Sequence, residues 1–591
     1  MTAPSDAETV RLFLERLERA LNDRDPAAAA ALFAERSFWR DLVAFTWTIS
    51  TQEGRPAIAA MLASQLPTVA PVRFSAEGAP TRTDDGTVEA WFTFETRQAR
   101  GRGHLRLKDG LGFTLLTAIT ELIGFEEKRG RTRPFGTVHG PVRGTTNWIQ
   151  QKEAASAALG RTTQPYVVVV GGGQAGIVLG ARLRQLGVPH VVVEKTARPG
   201  DTWRNRYDSL VLHDPIWYDH LPYIPFPDTF PVFTPKDQIA DWLEMYAKVM
   251  EVEFWGSTEC LKASYDAEAR EWAVRVRRSG EEIVLRPQQL VFATGSYGPP
   301  KEIDLPGKAL FEGLLYHSAH HKTAAGHAGK RVVVVGANTS AHDIAADFCE
   351  HGADVTMIQR SPTTVVRSET LLDVAFEGLY SENALARGIT TDIADLTFAS
   401  VPFRLMPEGQ LKLYETIRPR DAALIARLEK AGFRTDYGED GTGHMMKALR
   451  TGSGFYLDVG ASELIARGDI KVRSGVEPTG LTARSVILSD GSEVAADVIV
   501  FATGFKPMNA WVADLVSQDA ADLIGPNWGY GSGTKGDPGP WLGELRNMWK
   551  PLRHEALWFH GGNLHLNRFH SLHVALQLKA RMEGLPTPVY G

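Results

Sequence analysis

The stretch YVVVVGGGQAG, residues 166–176, decides the fold. An apolar, β-branched run ends at Gly171, and glycines follow it in the spacing G-x-G-x-x-G. The pattern predicts a strand, a tight turn and then a helix over residues 177–186, followed by a second strand over 191–193 that ends at Glu194. This order of elements is typical of the first βαβ unit of a dinucleotide-binding fold.

Each residue type in this turn has a physical reason. Gly171 permits the turn, Gly173 lets the backbone approach a pyrophosphate, and Gly176 allows the helix to pack close to the strand. Glu194, at the end of the second strand, can accept hydrogen bonds from a ribose diol. The predicted contacts to this first dinucleotide are Gly171, Gly173, Gln174, Ala175, Gly176 and Glu194.

A second unit of the same kind begins 165 residues later with RVVVVGANTSA, residues 331–341, and continues with a predicted strand over 354–358. Asn338 stands where the second glycine is expected, and Ala341 is the small residue at the third position. An arginine at the end of the second strand can pair with a 2′-phosphate, so Arg360 favours NADPH over NADH. The predicted contacts are Gly336, Asn338, Thr339, Ser340, Arg360 and Ser361.

Composition excludes several classes of protein. The 591 residues carry 64 basic and 70 acidic side chains, interleaved, which gives no field that would attract nucleic acid. The start of the chain lacks the pattern of a secretory signal, and no apolar stretch approaches the length of a membrane span. Only two cysteines occur, Cys260 and Cys349, which suits a reducing compartment. We therefore expect a soluble, cytoplasmic protein of several domains.

The organisation of the chain supports three units. Residues 1–150 begin with an amphipathic helix over 8–23 and continue into alternating strand patterns, as in an α+β unit. The segment 140–165 is polar and rich in Gly, Thr, Gln and Ala, and we expect a linker there. The stretch 368–450 is helical in pattern and longer than a crossover requires. The runs DVIVFATGF (497–505) and LWFHGGN (557–563) predict strand–turn units that return to the first dinucleotide fold.

Further motifs carry a family resemblance. GDTWRNRYDSL (200–210) follows the first fingerprint, and FEGLLYH (311–317) precedes the second. Together they resemble class B flavoprotein monooxygenases, and within them the flavin-containing monooxygenases, whose hallmark is FxGxxxHxxxY/F. Phe311, Gly313 and His317 match this hallmark, whereas His321 occupies the position of the final aromatic. This histidine and the N-terminal extension are similar to the type II subgroup, which includes Baeyer–Villiger enzymes.

The resemblance implies a fold and cofactors. It predicts an α/β protein with two Rossmann-like domains, binding FAD at 163–325 and 500–591 and NADP at 326–499, with a helical insertion at 368–450. Residues 1–150 resemble the α+β cone of nuclear-transport-factor-two-like domains. The implied cofactors are FAD and NADPH, with NADH possible because the type II subgroup has a relaxed preference. Further implied cofactor contacts are Lys195, Thr202, Trp203, Arg206, His213, Ala502, Thr503 and Gly504.

The resemblance also implies the reaction and its candidate catalytic residues. O₂ would form a peroxyflavin that transfers one oxygen atom to a small organic substrate, either a ketone or a sulfur or nitrogen nucleophile. His213 falls where related enzymes place a flavin-adjacent Asn or Asp, and His317 is the histidine of the hallmark. Arg367 is a candidate cation for stabilising a peroxide anion. The C-terminal histidines are not spaced as metal ligands, so no metal site is predicted.

Alternative functions remain open from the sequence. A decarboxylating monooxygenase of 2-oxo acids, of the auxin-biosynthesis type, shares the segment 208–213. A hydride-transfer flavoprotein of the disulfide-reductase kind would need a Cys-x-x-Cys pair, which the chain lacks. A third alternative is a ligand-binding protein in which the flavin half is inert. The N-terminal unit is expected to serve packing, or assembly of a homodimer.

Overall fold

The computed structural model describes residues 4–136, 140 and 143–591. Its N-terminal unit is a six-stranded sheet with three helices, in the strand order β2-β1-β6-β5-β4-β3. The helices are α1 (Asp6–Asn22), α2 (Pro26–Ala31) and α3 (Gly54–Val69), and the strands are β1 (Phe33–Leu42), β2 (Ile49–Glu53), β3 (Arg73–Arg82), β4 (Val88–Glu95), β5 (Ala99–Lys108) and β6 (Leu111–Leu122). Neighbouring strands are antiparallel except for β1 and β6, which run parallel.

The expected linker at 140–165 contains a helix, α4 (Trp148–Ala158). Asn147 caps it by accepting a hydrogen bond from the Gln150 backbone, and the Gln150 side chain accepts one from the Asn147 backbone. The linker region thus carries one exposed helix, because an Ala- and Gln-rich run behind a capping box forms a helix even without burial. Residues 141 and 142 of the expected linker lie outside the described residues.

The first dinucleotide unit alternates strands and helices as predicted. It contains β7 (Val167–Val170), α5 (Gln174–Gln185), β8 (His190–Val193), α6 (Asp201–Arg204), α7 (Lys236–Val249), β9 (Phe254–Trp255) and β13 (Gln289–Phe292), with a three-stranded antiparallel sheet of β10 (Thr258–Asp266), β11 (Glu271–Arg278) and β12 (Glu281–Leu285) inserted before β13. Strands β7, β8 and β13 are fully buried, as expected of a parallel sheet covered on both faces.

The second dinucleotide unit has a parallel sheet in the order β14-β23-β15-β16-β19. Its strands are β14 (Leu314–His317), β15 (Arg331–Val335), β16 (Asp354–Gln359), β19 (Ile470–Ser474) and β23 (Val498–Phe501), and helix α8 (Thr339–Glu350) follows β15. Small sheets join β17 (Thr364–Arg367) to β18 (Phe455–Asp458), and β20 (Pro478–Leu481) to β21 (Ser485–Leu488) and β22 (Glu493–Ala495). Between β17 and β19 lie α9 (Ser368–Leu371), a π-helical turn (Leu372–Phe376), α10 (Glu382–Ala386), α11 (Thr391–Ala399), α12 (Met406–Lys430), α13 (Gly443–Thr451) and α14 (Ala461–Arg467).

Two expected boundaries of this unit differ from the structure. Strand β14 belongs to the second sheet, so this unit begins before residue 326. Strand β23 pairs with β14 and β15, so DVIVFATGF does not return the chain to the first unit, as had been predicted. The reason is that an apolar strand followed by a small-residue turn looks alike in both units, and its sheet is decided by long-range pairing.

The chain returns to the first unit at its last strand. After α15 (Asn509–Leu515) and α16 (Gln518–Ile524), strand β24 (Leu557–Phe559) pairs parallel with β13 and is followed by the 19-residue helix α17 (Leu564–Met582). This completes a five-stranded sheet in the order β24-β13-β7-β8-β9. Helices α17 and α5 pack against each other, and both begin at the carboxyl ends of strands of this sheet. Across residues 4–136, 140 and 143–591, every helix is too short or too polar to cross a membrane.

Candidate active site

The first fingerprint forms a tightly packed turn. Gly171 has φ +108°, and a Cβ atom there would lie 2.5 Å from the carbonyl oxygen of Ala293. A Cβ at Gly176 would lie 1.9 Å from the carbonyl oxygen of Gly171. No side chain larger than hydrogen fits these two positions without displacing backbone, so helix α5 starts in close contact with the end of β7.

Two further turns meet the first fingerprint at the carboxyl edge of the sheet. Ala293 and Thr294 follow β13 and contact Gly171, whereas Gly561 follows β24 and would place a Cβ 2.6 Å from the carbonyl oxygen of Gly295. Asn563 caps α17 by accepting a hydrogen bond from the Leu566 backbone. Three turns and two helix N-termini therefore meet at one edge of the sheet, the position at which open α/β sheets bind their ligands.

Glu194 lies beside the first of these turns and is 6% exposed. Its carboxylate accepts hydrogen bonds from the backbone of Gly172 at 2.7 Å and of Thr196 at 2.8 Å. Each carboxylate oxygen can accept a further bond, so Glu194 retains the capacity to bind a diol. The neighbouring Lys195 is exposed.

The segment after β8 folds over the first fingerprint. Trp203 donates through Nε1 to Gln174 Oε1 at 3.1 Å. The Gln174 amide donates in turn to the carbonyl oxygen of Gly562 at 3.4 Å. Thr202 lies next to Gly173, and its buried hydroxyl has no hydrogen-bond partner among the described residues. Arg206 lies 5.7 Å from the ring of Tyr207. Gln174, Ala175, Thr202 and Trp203 are thus brought together at one end of α5.

The second fingerprint lies at the wall of a large cleft. A cleft of about 1170 Å³ is lined by Gly336–Ala341, Arg360, Ser361, Ala502, Thr503 and Gly504, together with residues of α13 and of the segment 527–536. A Cβ at Gly336 would lie 2.4 Å from the carbonyl oxygen of Ala502, so this glycine is required as well. Asn338 directly precedes α8 in an extended conformation with φ −103°, which does not demand glycine. All six predicted contacts of this unit line the cleft.

The cleft carries an excess of cationic side chains. Lys301, Arg360, Lys447, Arg450, Lys506 and Lys535 line it, against the acids Asp436, Glu439 and Glu477. The Arg360 side chain is 76% exposed and lies 3.7 Å from Glu477, a distance that leaves it free to reorient. Arg450 is only 8% exposed and is held by Asp440 at 2.5 Å. This lining fits a ligand with several phosphates.

His317 joins the hallmark strand β14 to the turn after β23. Its Nδ1 accepts a hydrogen bond from the Ala319 backbone at 3.1 Å, so Nε2 carries the proton and donates to the carbonyl oxygen of Gly504 at 3.0 Å. Burial lowers the pKa of His317. Both ring nitrogens are engaged with backbone, and in this conformation the ring has no nitrogen free for proton transfer. The geometry gives His317 the role of fixing the turn at 502–504.

His213 lies between the two dinucleotide units. Its Nε2 is 3.3 Å from the carboxylate of Asp343 on α8, and Tyr207 donates to the same carboxylate at 2.5 Å. Burial alone would lower the pKa of His213, but the carboxylates of Asp343, Asp214 and Asp458 outweigh it, and the pKa is raised. Within the described part of the chain, the buried Nδ1 has no hydrogen-bond partner.

Arg367 does not reach the nucleotide cleft. Its side chain is 46% exposed, lies 3.5 Å from Glu369, and lines a separate depression that includes Val211 and Asp458. The prediction that it supplies a cation to the reacting oxygen therefore has no support in this arrangement. The physical reason is that β17 leaves the second sheet and pairs with β18 instead, which turns its end away from the cleft.

Several residues of the site carried no local signal in the sequence. Asp343 meets His213 and Tyr207 only through tertiary packing, and Lys447 and Arg450 reach the cleft on α13 of the helical insertion. Asp214 is half-buried beside Asn563, which donates to it at 3.3 Å, and its partial removal from water raises its pKa. Only Asn563 had a readable signal, since an Asn directly before a long helix is a frequent cap.

His321, in place of the hallmark's final aromatic, is also explained by contacts. Its Nε2 lies 2.8 Å from the carboxylate of Asp347, and its Nδ1 lies 3.0 Å from the hydroxyl of Tyr316. It is 2% exposed and packs against Phe348 at 5.1 Å. The imidazole thus fills an aromatic position and adds a buried polar contact between the hallmark segment and α8.

The known proteins that this chain resembles in sequence are oxidoreductases. A family profile described as pyridine nucleotide-disulphide oxidoreductase matches residues 168–375. Indole-3-pyruvate monooxygenase YUCCA1 of Oryza sativa subsp. japonica is 32% identical over 367 residues, which cover 61% of this chain and 81% of that protein. Probable indole-3-pyruvate monooxygenase YUCCA9 of Arabidopsis thaliana is 30% identical over 343 residues, covering 57% of this chain and 74% of the relative.

Solved structures agree on the fold. Cyclohexanone monooxygenase, in an open form and in a form bound to ε-caprolactone, aligns with a TM-score of 0.51 and 19% identity. Each alignment covers 72% of this chain and 90% of the other. At this identity the likeness shows the two-domain dinucleotide fold alone, whereas the plant relatives are close enough in sequence to show kinship. The chain belongs to the family of flavin-dependent monooxygenases.

Proposed function

We propose that this protein is a monooxygenase that uses FAD and a reduced nicotinamide coenzyme to insert one atom of O₂ into a small organic substrate. The second oxygen atom leaves as water, and NADPH or NADH supplies the two electrons. The observation that carries the proposal is the pairing of one tightly closed dinucleotide site with one open, cationic site on adjacent sheets. Membership in the flavin-dependent monooxygenase family supports it.

The residues present fit FAD at the first site. Gly171, Gly173 and Gly176 leave room for a pyrophosphate at the start of α5, and Glu194 is placed for a ribose. The unpartnered hydroxyls of Thr202 and Thr294 face this region and can donate to the cofactor. When bound, FAD supplies the two-electron chemistry that links a reduced nicotinamide to O₂.

The residues present fit NADPH at the second site. The turn at 336–341 would hold the pyrophosphate at the N-terminus of α8, and Arg360 and Ser361 would bind the 2′-phosphate. NADH remains a possible donor, because Arg360 is exposed and its ion pair with Glu477 is long. The cleft is large enough to hold coenzyme and substrate together.

Residues of this chain also keep the reaction region dry and ordered. Trp549 donates to the carbonyl oxygen of Gly561 at 3.0 Å and stacks on His570 at 3.9 Å, which closes the turn after β24 from one side. Trp203 covers the start of α5. His213 and Asp343 hold a proton between the two units. Exclusion of water is a general requirement of chemistry with reactive oxygen species.

Two substrate classes remain candidates. Oxygenation of ketones, in the Baeyer–Villiger manner, or of sulfur and nitrogen nucleophiles is the first, and the hallmark segment at 311–321 supports it. Decarboxylating oxygenation of a 2-oxo acid is the second. The sequence relatives favour the second, since they are named indole-3-pyruvate monooxygenases and share more residues with this chain than do the ketone monooxygenases of known structure.

The test is coenzyme oxidation by the purified, flavin-containing protein with cyclohexanone, a thioether and indole-3-pyruvate in separate reactions. We expect NADPH consumption to rise with one of these substrates and its product to contain one oxygen atom from ¹⁸O₂. Release of CO₂ with indole-3-pyruvate identifies the 2-oxo-acid reaction, and a lactone from cyclohexanone identifies the ketone reaction. Full conversion of consumed O₂ to peroxide with every substrate would contradict the proposal, as would protein that holds no flavin.

A further inference from the structure

The N-terminal unit inserts one arginine into the body of the molecule. Arg40 on β1 is 5% exposed and makes two hydrogen bonds to Glu544, at 2.7 and 2.8 Å. It also donates to the carbonyl oxygen of Ala399 at 2.6 Å, and Thr51 donates to Glu544 at 2.7 Å. A buried, bidentate ion pair holds its two partners in one relative position, because separating them would leave unpaired charge in the interior.

Glu544 lies on a segment, residues 525–549, that doubles back on itself. The backbone of Leu542 donates to Tyr530 at 2.9 Å, and the backbone of Arg546 donates to Gly529 at 2.8 Å. The backbone of Trp528 donates to Arg546 at 2.9 Å. Fixing Glu544 therefore fixes the opposite limb of the segment, residues 528–530.

This doubled-back segment contributes to the wall of the nucleotide cleft. Trp528 of the opposite limb lines the cleft, as do Asn527 before it and residues 534–536 after it. The hydroxyl of Tyr530 accepts a hydrogen bond from Nε of Arg450 at 3.2 Å, and Arg450 lines the same cleft. Tyr530 and Asp440 thus hold this buried guanidinium from two sides, and its orientation depends in part on where Tyr530 lies.

A second route leads from Arg40 to the same tyrosine. The Arg40 guanidinium lies 4.9 Å from the centre of the Phe403 ring. Phe403 stacks on Tyr530 with ring centres 5.4 Å apart and planes inclined by 20°. The two partners of Arg40 therefore both lead to Tyr530: Glu544 lies on the limb whose backbone bonds to residues 528–530, and the Phe403 ring stacks on Tyr530 itself.

We propose that Arg40 is a positioning residue for the coenzyme. By holding Glu544 and Phe403, it fixes Tyr530 and so presents Arg450 to a phosphate of the nicotinamide dinucleotide. The N-terminal unit then sets the affinity of a cleft to which it contributes no lining residue in the described part of the chain. The inference rests on the proposed function in one respect, that the cleft binds this coenzyme. A cation held in place before binding loses less conformational freedom when the phosphate arrives.

The test is the dissociation constant for NADP⁺, measured by isothermal titration calorimetry on the flavin-loaded full chain. Arg40→Met should weaken binding about tenfold, the effect of losing one charge-assisted hydrogen bond to phosphate. Arg40→Lys, which keeps the charge but not the bidentate geometry, should bind with an intermediate affinity. Flavin content should equal that of the wild type in both, because no residue of this route contacts the first fingerprint.

Arg36→Met is the matched control. Arg36 lies on the same strand and pairs with Glu408 across the same junction, but both side chains are exposed, at 60% and 61%. We expect its NADP⁺ affinity to stay within about twofold of the wild type. If Arg40→Met does not fold, the double variant Arg40→Met/Glu544→Met removes both buried charges and should fold with the same loss of affinity.

A double-mutant cycle tests the route itself. In an Arg450→Met background, Arg40→Met should change the NADP⁺ affinity by less than about twofold, because the group that it positions is gone. A full tenfold loss in that background would overturn the route through Arg450. Wild-type affinity in the folded Arg40 variants would overturn the positioning role while leaving the proposed function intact. Failure of the wild type to bind NADP⁺ would overturn both.

Discussion

The two fingerprints both form dinucleotide-binding turns, but neighbouring backbone encloses the first turn, whereas the second faces an open cleft. At the first, Gly176 leaves no space for a methyl group, and the turn is enclosed by the turns after β13 and β24 and by α17. At the second, Ala341 occupies the corresponding position, Asn338 replaces a glycine, and the turn faces a cleft of about 1170 Å³. The difference is what one expects of a cofactor that stays bound and a coenzyme that leaves after each turnover.

The largest effect is expected from exchanging glycine and alanine at the third position of each fingerprint, which tests whether backbone contact closes the first site. Gly176→Ala places a methyl group 1.9 Å from the carbonyl oxygen of Gly171 and should cost about 1–3 kcal/mol of stability through overpacking. We expect at least a tenfold loss of bound flavin, measured as the ratio of flavin to protein absorbance after gel filtration.

The reverse exchange, Ala341→Gly, is the matched variant. It should cost about 1 kcal/mol, the helix propensity difference, and leave NADP⁺ affinity within about twofold. Retention of a full complement of flavin by Gly176→Ala would refute the view that the first site is closed by backbone contact.

A moderate effect on coenzyme preference is expected from replacing Arg360, which lines the open site. Arg360→Ala should raise the Michaelis constant for NADPH about tenfold and that for NADH less than twofold, because only NADPH carries the 2′-phosphate. The measurement is steady-state coenzyme oxidation with each donor. Arg473→Ala, an exposed arginine on the neighbouring strand β19, is the control and should change neither constant. Equal increases of the two Michaelis constants would show that Arg360 does not bind the 2′-phosphate.

The smallest effect concerns the contact that joins the two units. The raised pKa of His213 means that the charged imidazole stabilises the fold; this contribution is present at acidic pH and is lost as the pH rises through the raised value. The wild-type unfolding temperature should therefore fall between pH 6.5 and 8.5 by about 1–2 °C more than that of His213→Gln.

Asp343→Asn should lose the same pH dependence, since it removes the other partner. The two variants are compared with the wild type by thermal unfolding across this pH range. Identical slopes for all three proteins would show that the pair does not titrate in this range.

The features that could be predicted from the sequence are those that a local residue pattern determines. The strand, turn and helix at each fingerprint follow from β-branched runs and glycine spacing, and they lie within a few residues of the predicted positions. The membership of β23 in the second sheet was missed, because its pairing with β14 joins residues about 180 positions apart. Arg367 was chosen because it lies a few residues past the second strand of its unit, but β17 pairs with β18 and the side chain lines a separate depression.

The side-chain contacts between units could not be predicted from the sequence. Arg40 and Glu544 are separated by 504 positions, and no local pattern indicates that they pair. His213 was selected from its place in a family pattern, but its partner Asp343 is an unremarkable residue of a helix until the two units dock. Sequence reasoning therefore located the two dinucleotide turns and not the side chains that fix their relative position.

The order of strands in the first sheet has a consequence for synthesis of the protein. Strand β24 occupies the edge beside β13 but is translated about 260 residues later. At about 5–20 residues per second, the ribosome needs roughly 13–50 s to make the intervening chain. During that interval the β13 edge is unpaired, and the turn at 561–563 does not yet exist. The nascent chain therefore completes its second dinucleotide unit before its first, and flavin can be retained only after the last helix has emerged.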